Sequence, residues 1–391
     1  MTPPRDKEIS TFMLFTLGFR PFFLLAGLWA VVGMGAWLAL LWWGVLPPTA
    51  FAPVAWHAHE MLFGYVAAAV AGFLLTAMPN WTGRAPLTGW PLAGLALLWC
   101  AGRAAVAISA VIGSPVAALI DCAFLAGLLI MALTEIVGGR NWRNLPIAAA
   151  IALLLAANGM SHAGAMGIEK LGDASLRLAI AVIVMLISLI GGRIVPNFTD
   201  NWLKQMGRSR LSPPFGGIDK AALIISVLAL GAWVVTPESR GVAVALIMAG
   251  CLQGIRFARW HGIETGAEPL VWVLHLGYGW VAAGLVLTGC SIIISALGPS
   301  PALHALTIGA MGTMTLGVMT RATLGHTGRA LSADRVTTAA YLLVSLAALV
   351  RISAGVAPSM AIELQTTAGI AWIVGFGIFI LRYGPMHLRD A

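Results

Sequence analysis

Charged side chains are scarce in this chain of 391 residues: Asp, Glu, Lys and Arg together make up 10% of it, against roughly 25% in soluble globular proteins. Hydrophobic residues account for 59%, and the mean hydropathy is +0.90. These values exclude an assembly of soluble domains and indicate a polytopic membrane protein. The net charge of +8 is then explained by basic loop residues that orient the helices, and not by a nucleic-acid partner.

Paired cysteines and common soluble-enzyme motifs are also missing. The four cysteines (Cys100, Cys122, Cys251 and Cys290) lie apart in apolar segments, without the C-x-x-C spacing of a zinc or redox site. The N-terminal segment "MTPPRDKEISTF" lacks the pattern of a cleaved signal peptide. The chain contains no Walker A motif, no G-x-S-x-G and no H-E-x-x-H. Any chemistry must therefore come from the few polar residues within the apolar segments.

Apolar segments long enough to span a bilayer follow one another along the whole chain. A spanning helix needs about 20 mostly apolar residues, and Pro, Gly or charged residues separate the runs. We predict an all-α polytopic membrane protein with a single transmembrane domain (1–391) and a connection at 196–217 after the sixth helix. The twelve predicted helices are 21–44, 56–79, 90–112, 116–138, 145–166, 174–195, 218–236, 240–259, 269–296, 302–323, 335–356 and 360–382.

The distribution of Lys and Arg predicts the orientation of these helices. If the N-terminus is cytoplasmic, most basic residues fall in cytoplasmic segments, and the opposite side keeps only Lys170, Arg177 and Arg240. This asymmetry follows the positive-inside rule. We therefore predict that both termini and the connection at 196–217 are cytoplasmic.

Some charged residues lie inside the predicted helices. Arg103 and Asp121 lie at a similar depth on helices three and four, and Arg351 and Glu363 match in the same way on helices eleven and twelve. Charges within a membrane usually pair with one another. We predict two structural ion pairs; the alternative is that these charges line a transport pathway.

The histidines fall into layers when they are sorted by predicted depth. The outer layer holds His57, His59, His162 and His304, the inner layer holds His275 and His326, and His261 and His387 fall in cytoplasmic segments where we expect them to be solvated. A single membrane histidine is most often a packing residue. Four imidazoles from three helices in one layer favour a metal or haem site, because imidazole is the commonest protein ligand for transition metals.

The stretch "WHAHEMLFGY" (56–65) contains two of the outer histidines beside Glu60. On a regular helix, His57 and His59 are about 200° apart. Either they serve two different sites, or the first turn is irregular and both converge on one. His57 and Glu60 are three residues apart and share a face, so Glu60 is a candidate to orient an imidazole or to carry protons. The alternative is that Glu60 only favours a helix N-terminus by its charge.

The stretch "GHTGR" (325–329) follows predicted helix ten and brings His326 and Arg329 close to Arg321. Such a cationic corner suits carboxylates, for example haem propionates. The positive-inside bias explains the same residues equally well. His304 and His326 are 22 residues apart, about 33 Å along a straight helix, so they cannot bind the same metal ion.

Several of these stretches resemble the NnrS family. They are "FTLGFRPFFLLAG" (15–27), "WHAHEMLFGYVAAAVAGFLLTAMPNWTGR" (56–84), "GGRIVPNFT" (191–199), "LHLGYGW" (274–280) and "HALTIGAMGTMTLGVMTRATLGHTGR" (304–329). The resemblance implies a bacterial inner-membrane protein with twelve spans that contains haem and copper and takes part in the response to nitric oxide. The family's histidine motifs fall on His57, His59, His162, His275, His304 and His326.

Our first functional hypothesis is that the protein binds and reduces nitric oxide at a haem–copper centre. The four outer histidines match one axial haem ligand and three copper ligands, His275 and His326 are candidates for a second haem, and Glu60 is the candidate for proton supply. The chain lacks the C-x-x-C-H motif, so any haem is b-type or similar, and quinol is a plausible electron donor. The alternatives are a non-catalytic protein that binds nitric oxide or metal, and a twelve-helix transporter.

Overall fold

The computed structural model describes residues 13–208 and 211–389. Within these residues it contains no strand, and twelve helices are long and apolar enough to cross a membrane. They are α1 Phe19–Trp43, α2 Pro53–Thr82, α3 Trp90–Ala107, α4 Ser114–Gly138, α5 Trp142–Ala165, α6 Glu169–Gln205, α7 Gly217–Val235, α8 Arg240–Ala258, α9 Pro269–Ile293, α10 Pro299–His326, α11 Arg335–Ser353 and α12 Pro358–Leu388. The predicted fold class and helix count are confirmed. The N-terminal segment 1–12 and the residues 209–210 of the connection lie outside the described residues.

The helix boundaries follow local chemistry at most ends. Pro53 and Pro269 occupy the first turns of α2 and α9, where a missing N–H costs nothing. Gly44 ends α1 in the left-handed conformation, with φ 67°, and its N–H donates to the carbonyl of Leu40. The side chain of Asp334 accepts a hydrogen bond from the N–H of Thr337 and so caps α11.

One boundary differs clearly from the prediction. We expected the sixth helix to stop before Pro196, but α6 continues to Gln205, so the connection before α7 is shorter than predicted. Pro196 comes shortly after a π-helical segment, Ile187–Gly191. A π segment interrupts the regular α-helical hydrogen-bond ladder, and the helix resumes at Gly192 with the proline inside it.

Two further π-helical segments interrupt long helices: Glu60–Val66 in α2 and Ala305–Gly312 in α10. π-helical segments are rare in proteins overall, and those that occur are often found at functional sites. The π segment of α10 contacts α6, α9 and α11, and that of α2 contacts α1 and α3. Most residues of the segments Glu60–Val66 and Ala305–Gly312 are buried.

The outer surface of the bundle is apolar, as a bilayer requires. Leu119, Val235 and Leu381 are 76%, 78% and 80% exposed in the isolated chain. Apolar side chains exposed in such number indicate contact with a partner or with a membrane. Inside the bundle, helices approach closely where small residues allow it: a Cβ on Gly289 of α9 would lie 2.5 Å from the carbonyl oxygen of Ala243 on α8.

Two predictions about polar residues are wrong. Arg351 does not pair with Glu363: it donates a hydrogen bond to Ser300 at 3.0 Å, and Glu363 is exposed. His387 is completely buried and not solvated, because its ring packs against Phe19 and its Nε2 lies 3.3 Å from Thr323 Oγ1. Predicted depth could not reveal either result, since both depend on which helices are neighbours.

Candidate metal and cofactor sites

A buried ionic cluster lies between α2, α3 and α4. Arg103 on α3 donates from Nη1 to Glu60 Oε1 at 2.9 Å and from Nη2 to Asp121 Oδ1. The Nε1 of Trp29 donates to the other oxygen of Glu60 at 2.6 Å. All three charged residues are at most 4% exposed. The predicted pair of Arg103 and Asp121 is confirmed, and Glu60 is a third member that the sequence did not reveal.

Two of the outer histidines join this cluster through Asp121. Its Oδ2 lies 3.2 Å from His59 Nε2 and 3.0 Å from His162 Nε2. Asn158 Nδ2 donates to the same oxygen at 2.9 Å, and Asn158 Oδ1 lies 2.9 Å from His59 Nε2. One donor atom from each of His59, Asp121 and His162 lies within 4.8 Å of the others, and all three residues are buried. We call these three residues the His-Asp-His cluster.

The charges around the His-Asp-His cluster do not balance without a further cation. Arg103 contributes one positive charge against the carboxylates of Glu60 and Asp121, which leaves one negative charge if both histidines are neutral. An uncompensated charge in so buried a place is strongly unfavourable. Either a proton on a histidine or a bound metal cation restores neutrality. The cluster therefore favours the binding of at least one further positive charge.

The other two outer histidines face a separate cavity of about 470 Å³, here called the histidine cavity. His57 from α2 and His304 from α10 both line it. The Nδ1 of His304 lies 2.7 Å from the carbonyl oxygen of Ser300, so Nδ1 carries the proton and donates. This contact leaves Nε2 as the free basic atom, which is the usual second contact of a metal-binding imidazole. The ring of His57 stacks on Trp37 with centroids 4.4 Å apart.

The remaining lining of the histidine cavity is mostly apolar, with one cation. Met34, Met61, Met311 and Trp372 contribute apolar surface, and Arg351 contributes its guanidinium. In the described part of the chain, the hydroxyl of Ser300 is the one hydrogen-bond partner of Arg351. A guanidinium has five N–H donors, so most of its donors remain available to a ligand.

The model of the NnrS protein family matches residues 13–390. The chain belongs to the NnrS family. None of the curated proteins matches it. Membership confirms the resemblance noted in the sequence and is consistent with a role in the response to nitric oxide in a multi-pass membrane protein.

The structure of this NnrS-family chain shows how the two histidines of the H-x-H stretch are arranged. His57 and His59 lie on the regular α-helical turns Pro53–His59 and point to different sites, as their 200° separation allows. The expected single set of four outer histidines is therefore divided into two pairs, His59 with His162 and His57 with His304. Among the described residues, Glu60 contacts His59 at 3.4 Å and forms no hydrogen bond with His57.

The inner-layer histidines His275 and His326 have different surroundings in the NnrS-family chain, and their role in binding a second haem stays a prediction. His275 Nε2 lies 2.7 Å from Thr199 Oγ1, and its ring packs against Phe257 and Trp260. Gly317 packs against Val273 and Leu274, so His326 lies nine residues further along α10, about 13 Å at 1.5 Å per residue. His326 is exposed and stacks on Phe19.

The two basic residues of the expected cationic corner also have separate surroundings. The guanidinium of Arg321 lies 4.0 Å from the ring centre of Phe198 on α6, which is a cation–π contact. The Nη1 of Arg329 is buried and has no hydrogen-bond partner among residues 13–208 and 211–389. A shared carboxylate site for Arg321, Arg329 and His326 therefore stays a prediction.

Sequence reasoning missed Asp121 as part of a candidate metal site. Asp121 was assigned to an ion pair with Arg103, which is correct for Oδ1, while Oδ2 faces the two histidines. One signal was available: Asn158 and His162 are four residues apart and therefore share a face of α5. The part played by Ser300 and Trp37 around the histidine cavity had no comparable signal.

Proposed function

We propose that this protein binds a b-type haem in the histidine cavity and a copper ion at the His-Asp-His cluster, and that it binds and reduces nitric oxide in the bacterial inner membrane. One observation carries the proposal. Two pairs of histidines lie at the end of the bundle where α2 and α10 begin, one beside a large apolar cavity and one in a buried charged cluster.

The histidine cavity fits a haem in size and chemistry. Pockets for small molecules and cofactors are typically about 300–1,000 Å³ and mostly apolar, with a few polar groups that fix orientation. The cavity of about 470 Å³ falls in that range. His57 and His304 are the two candidates for the one protein ligand of the iron, and Arg351 is the cation that would bind propionate carboxylates.

The His-Asp-His cluster fits a first-row transition metal. Donor atoms about 2.1 Å from one ion lie roughly 3.0–3.4 Å from each other at right or tetrahedral angles. The distances from Asp121 Oδ2 to His59 Nε2 and His162 Nε2, 3.2 and 3.0 Å, are of that size. Imidazole and carboxylate together suit copper, iron and zinc, and the family resemblance favours copper.

Each protein group then has a defined task. Glu60 holds His59 from Oε1 at 3.4 Å and is itself fixed by Arg103 and Trp29. We assign Glu60 to orient His59 and to exchange a proton with its Nδ1, because reduction of nitric oxide consumes protons. A bound haem would supply a site that binds nitric oxide and accepts electrons. Quinol in the bilayer is the proposed donor of those electrons.

A second candidate is a non-catalytic role, in which the protein binds nitric oxide or metal without turnover. One observation favours it: both oxygens of Glu60 are occupied, by Arg103 and by Trp29, which restricts proton transfer. A transporter is the weaker third candidate, since Arg103, Glu60 and Asp121 are bound to each other and do not line the histidine cavity.

The test is a spectroscopic and metal analysis of the purified full chain. We expect a b-type haem signal in the reduced-minus-oxidised spectrum, a shift of that signal with nitric oxide, and copper in the metal analysis. Consumption of nitric oxide with a quinol analogue would support the reductase. Haem without consumption would support the non-catalytic role, and the absence of haem would contradict the proposal.

A further inference from the structure

A second, smaller cavity of about 80 Å³ lies between α1, α2, α6 and α10; we call it the side pocket. Phe23, Val66, Leu74 and Ile183 form its buried inner wall. At its outer side, Val70, Ile190 and Val318 are only partly buried. Val66 lies near the middle of α2 and Val318 lies beyond the middle of α10, so the pocket opens toward the part of the surface that faces the hydrocarbon of the bilayer.

The side pocket offers water almost nothing to bind. Thr315 carries the one side-chain polar group in its lining that can form a strong hydrogen bond. Its hydroxyl already donates to the carbonyl oxygen of Met311 at 2.7 Å and is hydrogen-bonded to the hydroxyl of Tyr65. A buried water needs two to four polar partners, and apolar cavities without them stay dry and bind apolar molecules such as xenon.

A thin partition separates the side pocket from the histidine cavity. Val66 lines both spaces. Tyr65 lines the histidine cavity, while its hydrogen-bond partner Thr315 lines the side pocket. The ring of Tyr65 is fixed on its other side by edge contacts with Trp372 and Phe376, at 5.4 and 5.2 Å. A small molecule in the side pocket is therefore one side chain away from the cavity that His57 and His304 line.

The three π-helical segments all contribute to the walls of these two cavities. Glu60–Val66 contributes Tyr65 and Val66, Ile187–Gly191 contributes a wall of the side pocket, and Ala305–Gly312 contributes a wall of the histidine cavity. Each cavity is therefore lined by π-helical backbone, which is frequent at functional sites.

We propose that the side pocket is the entry route by which a small, uncharged, apolar gas molecule passes from the hydrocarbon of the bilayer to the histidine cavity, with Val66 and Tyr65 as the partition that it crosses. The proposal rests on the proposed function, because it needs a ligand-binding group in the histidine cavity. The size of the pocket favours this occupant: its volume of about 80 Å³ is about half that of an engineered cavity of about 150 Å³ that binds benzene or xenon. A quinol ring is excluded by the same comparison, and its oxygens would lack polar partners.

The test measures how fast carbon monoxide reaches the reduced haem of the full chain in lipid nanodiscs after flash photolysis. Val318→Trp places an indole at the mouth of the pocket and is expected to slow association about tenfold, equivalent to about 1.4 kcal/mol of added barrier. Val66→Ala thins the partition and is expected to speed it. Val227→Trp introduces the same side chain at a lipid-facing position of α7 that is 52% exposed and is expected to leave the rate unchanged.

Opposite effects of Val318→Trp and Val66→Ala distinguish a route from a general disturbance of the fold, since damage would not speed association. Equal rates in Val318→Trp, Val66→Ala and Val227→Trp would overturn the route. A xenon-pressurised crystal gives a readout that needs no haem: xenon is expected in the side pocket, and Val318→Trp is expected to exclude it. If the protein carries no haem, the proposed function fails on that result alone, and absence of xenon from the pocket overturns the route independently.

Discussion

Replacement of Asp121 by Asn tests whether the His-Asp-His cluster holds a cation. The substitution preserves shape but removes the negative charge that faces Arg103 on one side and His59 and His162 on the other. Loss of one partner of a buried ion pair typically costs about 3–5 kcal/mol. Asp121 is only 2% exposed, so solvent cannot compensate for much of this loss. We therefore expect lower stability together with loss of the metal.

The assay combines thermal unfolding and metal analysis of the variant in one detergent. The melting temperature is expected to fall by several degrees, and the copper content is expected to drop to the level of a preparation treated with chelator. The matched control is Glu363→Gln, which neutralises an exposed carboxylate on α12 and is expected to change neither quantity. If Asp121→Asn melts at the same temperature as the parent chain and keeps its copper, the assignment of the cluster is wrong.

Two further predictions concern the helices themselves. Gly289→Ala would place a Cβ 2.5 Å from the carbonyl oxygen of Ala243, so we expect a loss of about 1–3 kcal/mol by overpacking. Gly231→Ala, which meets nothing within 4 Å, is the control, and equal melting temperatures would contradict the close contact between α8 and α9. Asp334→Ala removes the cap of α11 and is expected to cost about 1 kcal/mol, whereas Asp334→Asn keeps the cap. The hydrogen bond from the Thr337 amide holds the pKa of Asp334 below its usual range. The stabilising effect of the cap is therefore present near neutral pH and is lost as pH falls through that lowered pKa. If Asp334→Ala lowered the melting temperature as much at pH 3 as at pH 7, this pH dependence would be refuted.

The helices were predictable because their signal is local. Long apolar runs, prolines in first turns and glycine at helix ends are properties of short segments, and they fixed the number of spans. The π-helical segment Ile187–Gly191 was not predictable, since it changes the hydrogen-bond pattern without a clear change in composition. The helix α6 also continues through Pro196, where the sequence indicated an end.

The candidate sites were predictable as a set of residue types but not as an arrangement. Depth along each helix placed His57, His59, His162 and His304 in one layer, and the angular offset between the first two allowed separate sites. Which histidines share a site depends on the neighbours of each helix, and single-sequence periodicity carries no such information. The same reason explains why Asp121 was assigned to Arg103 alone, and why Arg351 was assigned to Glu363 and not to Ser300.

In the proposed arrangement His57 and His59, two residues apart on α2, serve different sites. The direct measurement is the haem spectrum and the metal content of His57→Ala and His59→Ala, purified as full chains in parallel. We predict that His57→Ala loses or alters the haem signal and keeps its copper, and that His59→Ala loses copper and keeps the haem signal. Loss of the same cofactor in both variants would contradict the division of the outer histidines into two sites.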